Sequence, residues 1–277
     1  MSEVVVLISA NVEWQVVKAI FPHAEYQTSP FGEWFTTELH ASHSGTASRS
    51  THIVPMLLRD HVIVLHGGWG KIAAAASTQY AIDRWQPDCL VNLGTCGGFA
   101  SEIEKGEIIL AEKTIVYDII EQMGDYDEHI AHYTTKIDLG WLGDAETYPH
   151  KVRRTLLVSG DRDLIVEEIP RLKEKFGAVA GDWESGAIAW VAARNGVRCL
   201  ILRGVTDLVG AEGGEAYEGN FDVFVEGTKQ VMGRLVESLP GWVGVMSDAI
   251  PGGVYRKSVG QSEPTLTELL PTNTSLK

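Results

Sequence analysis

The chain has 277 residues, of which 44% are hydrophobic and 22% are charged, an ordinary globular balance that allows a sizeable core. Its length fits one large α/β domain or two small ones. The formal net charge of −14 repels phosphate backbones and anionic lipids, and no apolar run approaches the length of a bilayer span, so we expect neither nucleic-acid nor membrane partners.

Cys89, Cys96 and Cys199 are an odd number of cysteines and lie in or next to apolar runs. Reduced thiols packed in the core of a cytoplasmic protein are the simplest interpretation. No cysteine or histidine pair has the spacing of a zinc site, and we expect no metal or organic cofactor. The N-terminus enters an apolar run at once, with Lys18 as its first basic residue, which is unlike a signal peptide.

Short apolar runs alternate with helical patterns along most of the chain. The runs are rich in Val, Ile and Leu, as in strands buried on both faces. Strands are predicted over 4–8, 62–66, 89–93, 108–110, 156–159 and 199–202. Helices are predicted over 13–21, 71–85, 167–176, 184–195 (with Asp182 as a possible cap) and 222–238. This alternation predicts a single α/β domain with a twisted, mostly parallel central sheet flanked by helices.

Two stretches do not fit this pattern. Residues 28–51 are rich in Ser, Thr and His and are expected to form a hairpin or surface loop. Residues 241–277 carry Gly, Pro, Ser and Thr with little periodicity, so we assign residues 1–240 to the domain and 241–277 to a C-terminal extension. That extension either wraps along the surface or packs on a neighbouring subunit.

The segment 66–71, His-Gly-Gly-Trp-Gly-Lys, joins a predicted strand to a predicted helix, where nucleotide-binding loops occur. A Walker loop fails because Leu65 stands where its first glycine belongs and Ile72 follows the lysine. The dinucleotide pattern Gly-x-Gly-x-x-Ala matches residues 68–73, but the acid it requires at the end of the next strand is missing. We therefore predict a close-packed strand-to-helix turn.

Three carboxylates stand where predicted strands end or helices begin. Glu13 follows the first strand, Glu184 opens the helix over 184–195, and Asp207 closes the run 199–207. Ligands of open α/β sheets collect beyond the carboxyl ends of the strands. Taken singly, each acid also has a structural explanation, as a turn or cap residue (Asp207), a first-turn acid (Glu184) or a solvated helix residue (Glu13).

The segment 92–98, Asn-Leu-Gly-Thr-Cys-Gly-Gly, follows a buried strand. Three glycines in five residues predict a turn whose backbone amides can approach a ligand without obstruction by Cβ atoms. Together with the three acids, this turn indicates a sugar-binding hydrolytic site.

Five collinear segments resemble one family. They are Gly-Trp-Gly-Lys (68–71), Asn-Leu-Gly-Thr-Cys-Gly-Gly (92–98), Leu-Val-Ser-Gly-Asp (157–161), Trp-Glu-Ser-Gly-Ala-Ile-Ala (183–189) and Leu-Arg-Gly-Val-Thr-Asp (202–207). Their order and spacing are similar to those of the purine nucleoside phosphorylase/nucleosidase superfamily, and most similar to 5′-methylthioadenosine/S-adenosylhomocysteine nucleosidases. The resemblance implies hydrolysis of the N-ribosidic bond of a 5′-modified purine nucleoside, with release of the base.

The resemblance implies a role for each acid. Asp207 would protonate N7 of the leaving purine, Glu184 would bind the ribose hydroxyls, and Glu13 would hold the attacking water. Trp183 precedes Glu184 in the substrate site, and Thr95 would supply a hydroxyl near the sugar and the water. Because aspartate has an ordinary pKa of about 4, Asp207 can donate near neutrality only if burial raises its pKa.

Five further positions are implied in the same site. Arg203 would orient the catalytic loop, and Phe221 would line the pocket for the 5′ substituent. Leu164, Thr206 and Gly97 complete the expected substrate-binding set.

Water rather than phosphate is the predicted nucleophile. Phosphorylases of the superfamily carry an arginine where this chain has Asn92, and their N-terminal Gly-Asp-Pro phosphate loop is missing here. Phosphate can be held only by fixed positive charge or a dense cluster of donors. A phosphate-dependent purine nucleoside phosphorylase is the alternative, and a futalosine-type nucleosidase and a non-catalytic nucleoside-binding protein also stay open.

Two segments depart from the family pattern. Asp163 stands where an aromatic or apolar platform for the base is expected, with Leu164 one residue further on. Either the loop is shifted by one residue or the base is bound differently. The segment 117–125 lacks the family's His-Asp aromatic pattern, and residues 125–150 look inserted.

The family also implies a homo-oligomer, often a dimer, in which the neighbouring subunit closes the 5′ pocket. We expect Ile119, Ile120 or Met123 near that contact. The only other expected partner is the small-molecule purine nucleoside.

Overall fold

The computed structural model describes residues 3–39 and 60–249. The helices in these ranges are α1 (Asn11–Ile20), α2 (Gly70–Trp85), α3 (Tyr126–Tyr133), α4 (Ile169–Phe176), α5 (Ser185–Arg194) and α6 (Phe221–Ala249). The strands are β1 (Val4–Ile8), β2 (Gln27–Thr28), β3 (Glu33–Leu39), β4 (Asp60–His66), β5 (Cys89–Phe99), β6 (Ile108–Val116), β7 (Thr135–Lys136), β8 (Arg153–Ser159), β9 (Ala180–Asp182), β10 (Arg198–Gly210) and β11 (Gly213–Gly214).

The strands form one eleven-stranded sheet in the order β11-β10-β6-β8-β9-β5-β1-β4-β3-β2, with β7 paired to β6. Strands β4, β1, β5 and β10 are mutually parallel where they pair. Antiparallel pairing joins β3 to β4, β9 to β5 and β6 to β10. Because β5 also pairs with β10, the strands β5, β9, β8, β6 and β10 form a closed barrel. The predicted α/β domain with a parallel sheet centre is confirmed, and the antiparallel pairs make the sheet mixed.

Strands β5 and β10 are much longer than predicted. They pair in parallel from Arg198 opposite Cys89 to Val209 opposite Phe99. This pairing gives hydrogen-bond partners to backbone groups that a turn would have left to solvent or ligand. The segments 94–98 and 203–207 are therefore strand, so the prediction of a turn in the segment 92–98 is wrong, and Asp207 is not a turn residue.

The helices flank this sheet, with α2 packed against α5 and α1 against α6. Strand β1 is buried over its whole length, and Trp14 of α1 and Trp242 of α6 are almost fully enclosed. All three cysteines are free and buried. In the part of the chain that the structure describes, no helix has both the length and the apolar character needed to span a bilayer.

The ends of the two irregular stretches are partly described. Strands β2 and β3 pair in an antiparallel hairpin within the predicted stretch 28–51, of which 40–51 lies outside the described residues. Helix α6 continues past the predicted end at residue 238, through Pro240. The predicted boundary at residue 240 thus falls inside a helix, and residues 250–277 of the predicted extension lie outside the described part.

Candidate active site

A cavity of about 510 Å³ is lined by the segments that follow β1 and β8, by the end of β9 and the residues after it, and by residues within β5 and β10. Nine of the ten predicted site residues line it: Glu13, Thr95, Gly97, Leu164, Trp183, Glu184, Thr206, Asp207 and Phe221. The tenth, Arg203, is fully buried behind them. Residues from distant parts of the sequence are thereby brought into one enclosure.

Glu13 is buried at the start of α1, and both of its carboxylate oxygens accept hydrogen bonds. Its Oε2 accepts from the Ala10 backbone N–H (2.9 Å), which fixes the helix start. Its Oε1 accepts from both the backbone N–H (2.7 Å) and the Oγ1 hydroxyl (2.8 Å) of Thr95. A solvated helix position is therefore the wrong explanation for Glu13, which is held rigidly against β5.

Arg203 of β10 faces three buried carboxylates. Its guanidinium lies 3.4 Å from Glu184 Oε2 and 3.8 Å from Glu13 Oε1. Its Nε lies 2.8 Å from Asp182 Oδ2 without a directed hydrogen bond, so that contact is electrostatic. One positive charge against three acids leaves the cluster with an excess of negative charge when all three are ionised.

Gly94 makes room for this arginine. A Cβ atom at position 94 would lie 1.9 Å from Arg203 Nη1 and 3.0 Å from Glu13 Oε1. The glycine therefore serves the packing of a buried ion cluster. Of the three glycines in the segment 92–98, only Gly97 lines the cavity. The prediction that a ligand approaches the backbone of this segment therefore applies to Gly97 and not to Gly94 or Gly98.

Glu184 precedes α5 and joins two parts of the structure. Its Oε1 accepts a hydrogen bond from the Gly70 backbone N–H (3.0 Å) at the start of α2. Burial raises the pKa of Glu184 to about 8; Arg203 lowers it, and the nearby Asp182 and Glu13 raise it further. The positive end of the α2 dipole helps to hold the ionised form when it is present.

The glycine-rich segment 66–71 is the close-packed strand-to-helix turn that the sequence predicts. Gly68 and Gly70 have φ angles of +80° and +83°, which favour glycine, and a Cβ at Gly67 would lie 2.5 Å from Ser77 Oγ. The turn also helps to position Glu184, because the backbone N–H of Gly70, the first residue of α2, donates a hydrogen bond to the Glu184 carboxylate.

Asp207 lies in β10 at a β-bulge, where the pairing shifts between Val205 and Asp207. Because the bulge inserts Thr206 as an extra residue, consecutive residues 206 and 207 can both face the cavity. Asp207 Oδ1 accepts a hydrogen bond from Thr206 Oγ1 (2.6 Å). Burial raises the pKa of Asp207 against this hydrogen bond, and the nearby Glu215 and Asp163 raise it further, whereas Lys105 lowers it. This direction is the one that proton donation by Asp207 near neutrality requires.

The loop after β8 forms another wall of the cavity. Asp163 is exposed and Leu164 is buried, and both line the cavity. The Leu164 side chain lies 3.2 Å from a Cβ built at Gly97. Tyr217, from the segment after β11, donates its hydroxyl to the Leu164 carbonyl (3.0 Å). An apolar residue does reach the expected base region, one position after Asp163.

Large aromatic side chains form a further part of the lining. Trp69 and Trp183 meet edge to face, with ring centroids 5.8 Å apart. Phe221 and Phe224 of α6 lie 5.6 Å apart, and Phe221 is 57% exposed. An apolar group of a ligand could pack against these rings.

Asn92 does not line the cavity and is fully buried in β5. Its Nδ2 donates to the Leu7 carbonyl (3.0 Å), which joins β5 to β1. Among the described residues, Arg162 is the one Lys or Arg that lines the cavity, and it lies 3.4 Å from Glu168. Around Thr95, the nearest guanidinium is Arg203, which already faces three carboxylates.

Sequence reasoning missed several members of the lining. Asp182 was expected only as a helix cap; it does accept the Ser185 N–H and hydroxyl, and it also faces Arg203. Tyr217 and Phe224 were not predicted, since neither belongs to a recognisable motif. Within the described ranges, no group of three or more His, Cys, Asp or Glu side chains could hold a metal ion.

Several known proteins are similar to this chain in sequence. The chain is 25% identical over 190 residues to the 5′-methylthioadenosine/S-adenosylhomocysteine nucleosidase of Tolumonas auensis, covering 64% of this chain and 82% of that protein. It is 28% identical over 193 residues to the protein of the same name from Halalkalibacterium halodurans, covering 66% and 81%.

Solved structures share the fold. An S-adenosylhomocysteine nucleosidase from Streptococcus pyogenes, in complex with 5-methylthiotubericidin, superposes with a TM-score of 0.65 at 14% identity, covering 87% of this chain and 96% of that one. A 5′-methylthioadenosine/S-adenosylhomocysteine nucleosidase from Colwellia psychrerythraea, in complex with adenine, gives 0.65 at 18% identity, covering 88% and 96%. The family model "Phosphorylase superfamily" matches residues 26–239, or 214 of 277 residues. The chain therefore belongs to the phosphorylase superfamily.

Proposed function

We propose that this protein hydrolyses the N-ribosidic bond of a 5′-modified purine nucleoside, with 5′-methylthioadenosine as the first candidate substrate and S-adenosylhomocysteine as the second. The observation that carries the proposal is the convergence of Glu13, Glu184 and Asp207 on one cavity in which no described residue places an unpaired cation beside Thr95. The names of the similar proteins from Tolumonas auensis and Halalkalibacterium halodurans support the same reaction.

Asp207 is the proton donor. Cleavage of the bond between C1′ and N9 leaves electrons on the purine, and a proton delivered to N7 lets the base depart neutral. The raised pKa of Asp207 favours the protonated form that this step needs. Among the described residues, nothing donates a hydrogen bond to Asp207 Oδ2, so that oxygen is available to the base.

Glu184 and the acidic cluster around Arg203 act on the sugar. As the bond breaks, positive charge develops on the ribose ring, and preorganised negative charge is then most stabilising. The excess of carboxylate over guanidinium charge is unfavourable in the empty site and becomes favourable as the sugar becomes cationic. Glu184 also accepts hydrogen bonds from the ribose hydroxyls in this proposal.

Glu13 positions the nucleophile. A water molecule hydrogen-bonded to Glu13 attacks C1′, its oxygen forms the new bond, and its proton passes to the carboxylate. The bonds from Thr95 to Glu13 Oε1 fix the direction of that carboxylate. The products are the free base and the free 5′-modified ribose.

Water is preferred to phosphate because, among the described residues, no unpaired cation lies beside Thr95 to hold phosphate. Arg162, which also lines the cavity, is ion-paired with Glu168 (3.4 Å). Asn92 is buried and bonded to the neighbouring strand, and Arg203 is neutralised by three acids. A phosphate dianion placed among Glu13, Asp182 and Glu184 would be repelled.

The test is base release from 5′-methylthioadenosine in phosphate-free buffer and in millimolar phosphate, with both products identified by mass spectrometry. Adenine and 5-methylthioribose at equal rates in both buffers are expected. A sugar 1-phosphate formed only with phosphate would establish a phosphorylase instead. Binding without release would support a nucleoside-binding protein, and activity confined to nucleosides of hypoxanthine would support the futalosine-type alternative.

We further propose that the protein is a cytoplasmic homodimer. The exposed apolar side chains Ile120 (71%) and Met123 (97%) support an apolar contact in the segment predicted to lie near the partner, whereas Ile119 packs partly against the core. Light scattering during size-exclusion chromatography should give twice the chain mass, and Met123→Glu should lower it.

A further inference from the structure

Tyr217 stands where the cavity meets the segment that follows β11. Its phenol hydroxyl donates to the backbone carbonyl of Leu164 (3.0 Å), and both residues line the cavity. This hydrogen bond ties the segment after β11 to the loop after β8. The ring is therefore held across the cavity wall by a bond at its far end.

The Tyr217 ring packs closely against the backbone of Gly214. A Cβ atom at position 214 would lie 2.5–2.6 Å from three ring atoms of Tyr217, so a side chain there would displace the ring. Gly214 pairs with Val209 of β10, two residues beyond Asp207. The Tyr217 side chain is thus held at two places, by the hydrogen bond of its hydroxyl to Leu164 and by packing of its ring against Gly214.

The Tyr217 ring is also close to the acids of this end of the cavity. Burial raises the pKa of the Tyr217 phenol well above its usual range, and the charges of Asp163 and Asp207 raise it further. A protonated hydroxyl is the form that donates the hydrogen bond to the Leu164 carbonyl.

We propose that Tyr217 is the aromatic side chain against which the purine base packs, with Leu164 on the same wall. The proposal rests on the proposed function, because it assumes a purine as the ligand. A planar base gains affinity from contact with an aromatic ring, and the position expected to supply that contact holds Asp163, an exposed carboxylate. Tyr217 supplies the missing ring from a different segment.

The experiment compares Tyr217→Ala, Tyr217→Phe and Gly214→Ala with the unmodified protein. Affinity for free adenine is measured by calorimetry, and KM and kcat are measured with 5′-methylthioadenosine. Tyr133→Ala is the matched control, because Tyr133 is a partly exposed tyrosine that packs on Trp190 and does not line the cavity.

Loss of the ring in Tyr217→Ala should weaken adenine binding and raise KM by roughly tenfold or more, with a smaller change in kcat. Tyr217→Phe keeps the ring and should stay within about threefold of the unmodified protein, and Gly214→Ala should fall between the two. Tyr133→Ala should leave both constants unchanged.

Unchanged adenine affinity in Tyr217→Ala overturns the proposal, as does a loss in Tyr217→Phe equal to that in Tyr217→Ala. If Tyr217→Ala does not fold, Tyr217→Leu, which keeps an apolar side chain, and Gly214→Ala decide the question by the same binding measurement. Adenine binding without cleavage by the unmodified protein would refute the proposed hydrolysis but leave the assignment of Tyr217 intact.

Discussion

The two ends of the cavity are built differently. At the end proposed to bind the ribose (the ribose end), both oxygens of Glu13 and both oxygens of Glu184 have partners within the protein, and the residues lie on strands or at helix starts. At the end proposed to bind the purine (the base end), Asp207 Oδ2 has no hydrogen-bond donor among the described residues, Asp163 is exposed, and Tyr217 lies on an irregular segment. We infer that the end proposed to meet developing charge is preorganised by buried partners, whereas the end proposed to bind the base leaves Asp207 Oδ2 and Asp163 open to a ligand.

Charge shows the same contrast. The ribose end concentrates three buried carboxylates on one buried guanidinium. At the base end Asp207 is buried, but Asp163 is exposed and a cation, Lys105, is near Asp207. Removal of a charge should therefore disturb folding at the first end and chemistry at the second.

The largest effect is expected for Arg203→Met. It leaves Glu13, Asp182 and Glu184 buried without their cation, which should cost about 3–5 kcal/mol of unfolding free energy and abolish activity. Urea denaturation measures the first, and base release measures the second. The exposed arginine control Arg194→Met, whose side chain lies over Trp190, should lose less than about 1 kcal/mol.

A second substitution sharpens this test. Adding Asp182→Asn to Arg203→Met removes one of the unpaired charges, so it should restore part of the lost stability. An Arg203→Met protein as stable as the unmodified one, or a double variant less stable than the single, would contradict the picture of a charge-balanced cluster.

At the base end, Asp207→Asn should affect catalysis and leave folding nearly intact. Removal of the proton donor should lower kcat by roughly 10²–10⁴-fold. The melting temperature should change little, because Asp207 has only the Thr206 hydroxyl as a hydrogen-bond donor among the described residues. Asp83→Asn on the exposed face of α2 is the control and should retain full activity. If Asp207→Asn lowers the stability of the protein as much as Arg203→Met does, the proposed contrast between the two ends is wrong.

Glu184 gives the ribose end a pH dependence. Its pKa of about 8 in the folded protein exceeds its ordinary value of 4.5, so folding favours the protonated form. That contribution to stability is complete below pH 4.5 and is lost as the pH rises to about 8. In Glu184→Gln, a permanently neutral side chain removes this slope, and its melting temperature relative to the unmodified protein should increase from pH 5 to pH 9.

The control for this titration is Glu226→Gln, because Glu226 is exposed on α6 and pairs with Lys229. Its melting temperature should differ from that of the unmodified protein by the same amount at every pH. Parallel pH profiles for the unmodified protein and Glu184→Gln would mean that Glu184 does not change its protonation in this range.

The ribose end could be predicted from the sequence because its residues constrain each other. Gly94 must lack a side chain because Arg203 fills that space, and Glu13 reaches the backbone of Thr95, so the motifs occur together. The assignment to one cavity rested on their positions near predicted strand ends and helix starts and on the resemblance of five collinear segments to one family. Their roles in catalysis stay predictions until the variants are measured.

The rest could not be predicted, for physical reasons. Glycines at 94, 97 and 98 indicated a turn, but pairing of β5 with β10 overrode that local preference and made the segment strand. Tyr217 lies in a segment without periodicity, and its position depends on contacts with Gly214 and with the backbone carbonyl of Leu164. Contacts made between irregular segments leave no pattern in a single sequence.

The smallest effect is expected for Thr95→Val at the ribose end. The substitution removes the hydroxyl bond to Glu13 Oε1 but keeps the backbone N–H bond to the same oxygen. Loss of one of these two bonds should cost about 1 kcal/mol, or roughly fivefold in kcat, with KM nearly unchanged. Thr95→Ser, which restores the hydroxyl, should recover most of the activity. If Thr95→Val lowers kcat as much as Asp207→Asn does, the Thr95 hydroxyl itself contacts the reacting atoms. Thr95→Ser would then recover the full kcat only if the threonine methyl group has no part in packing.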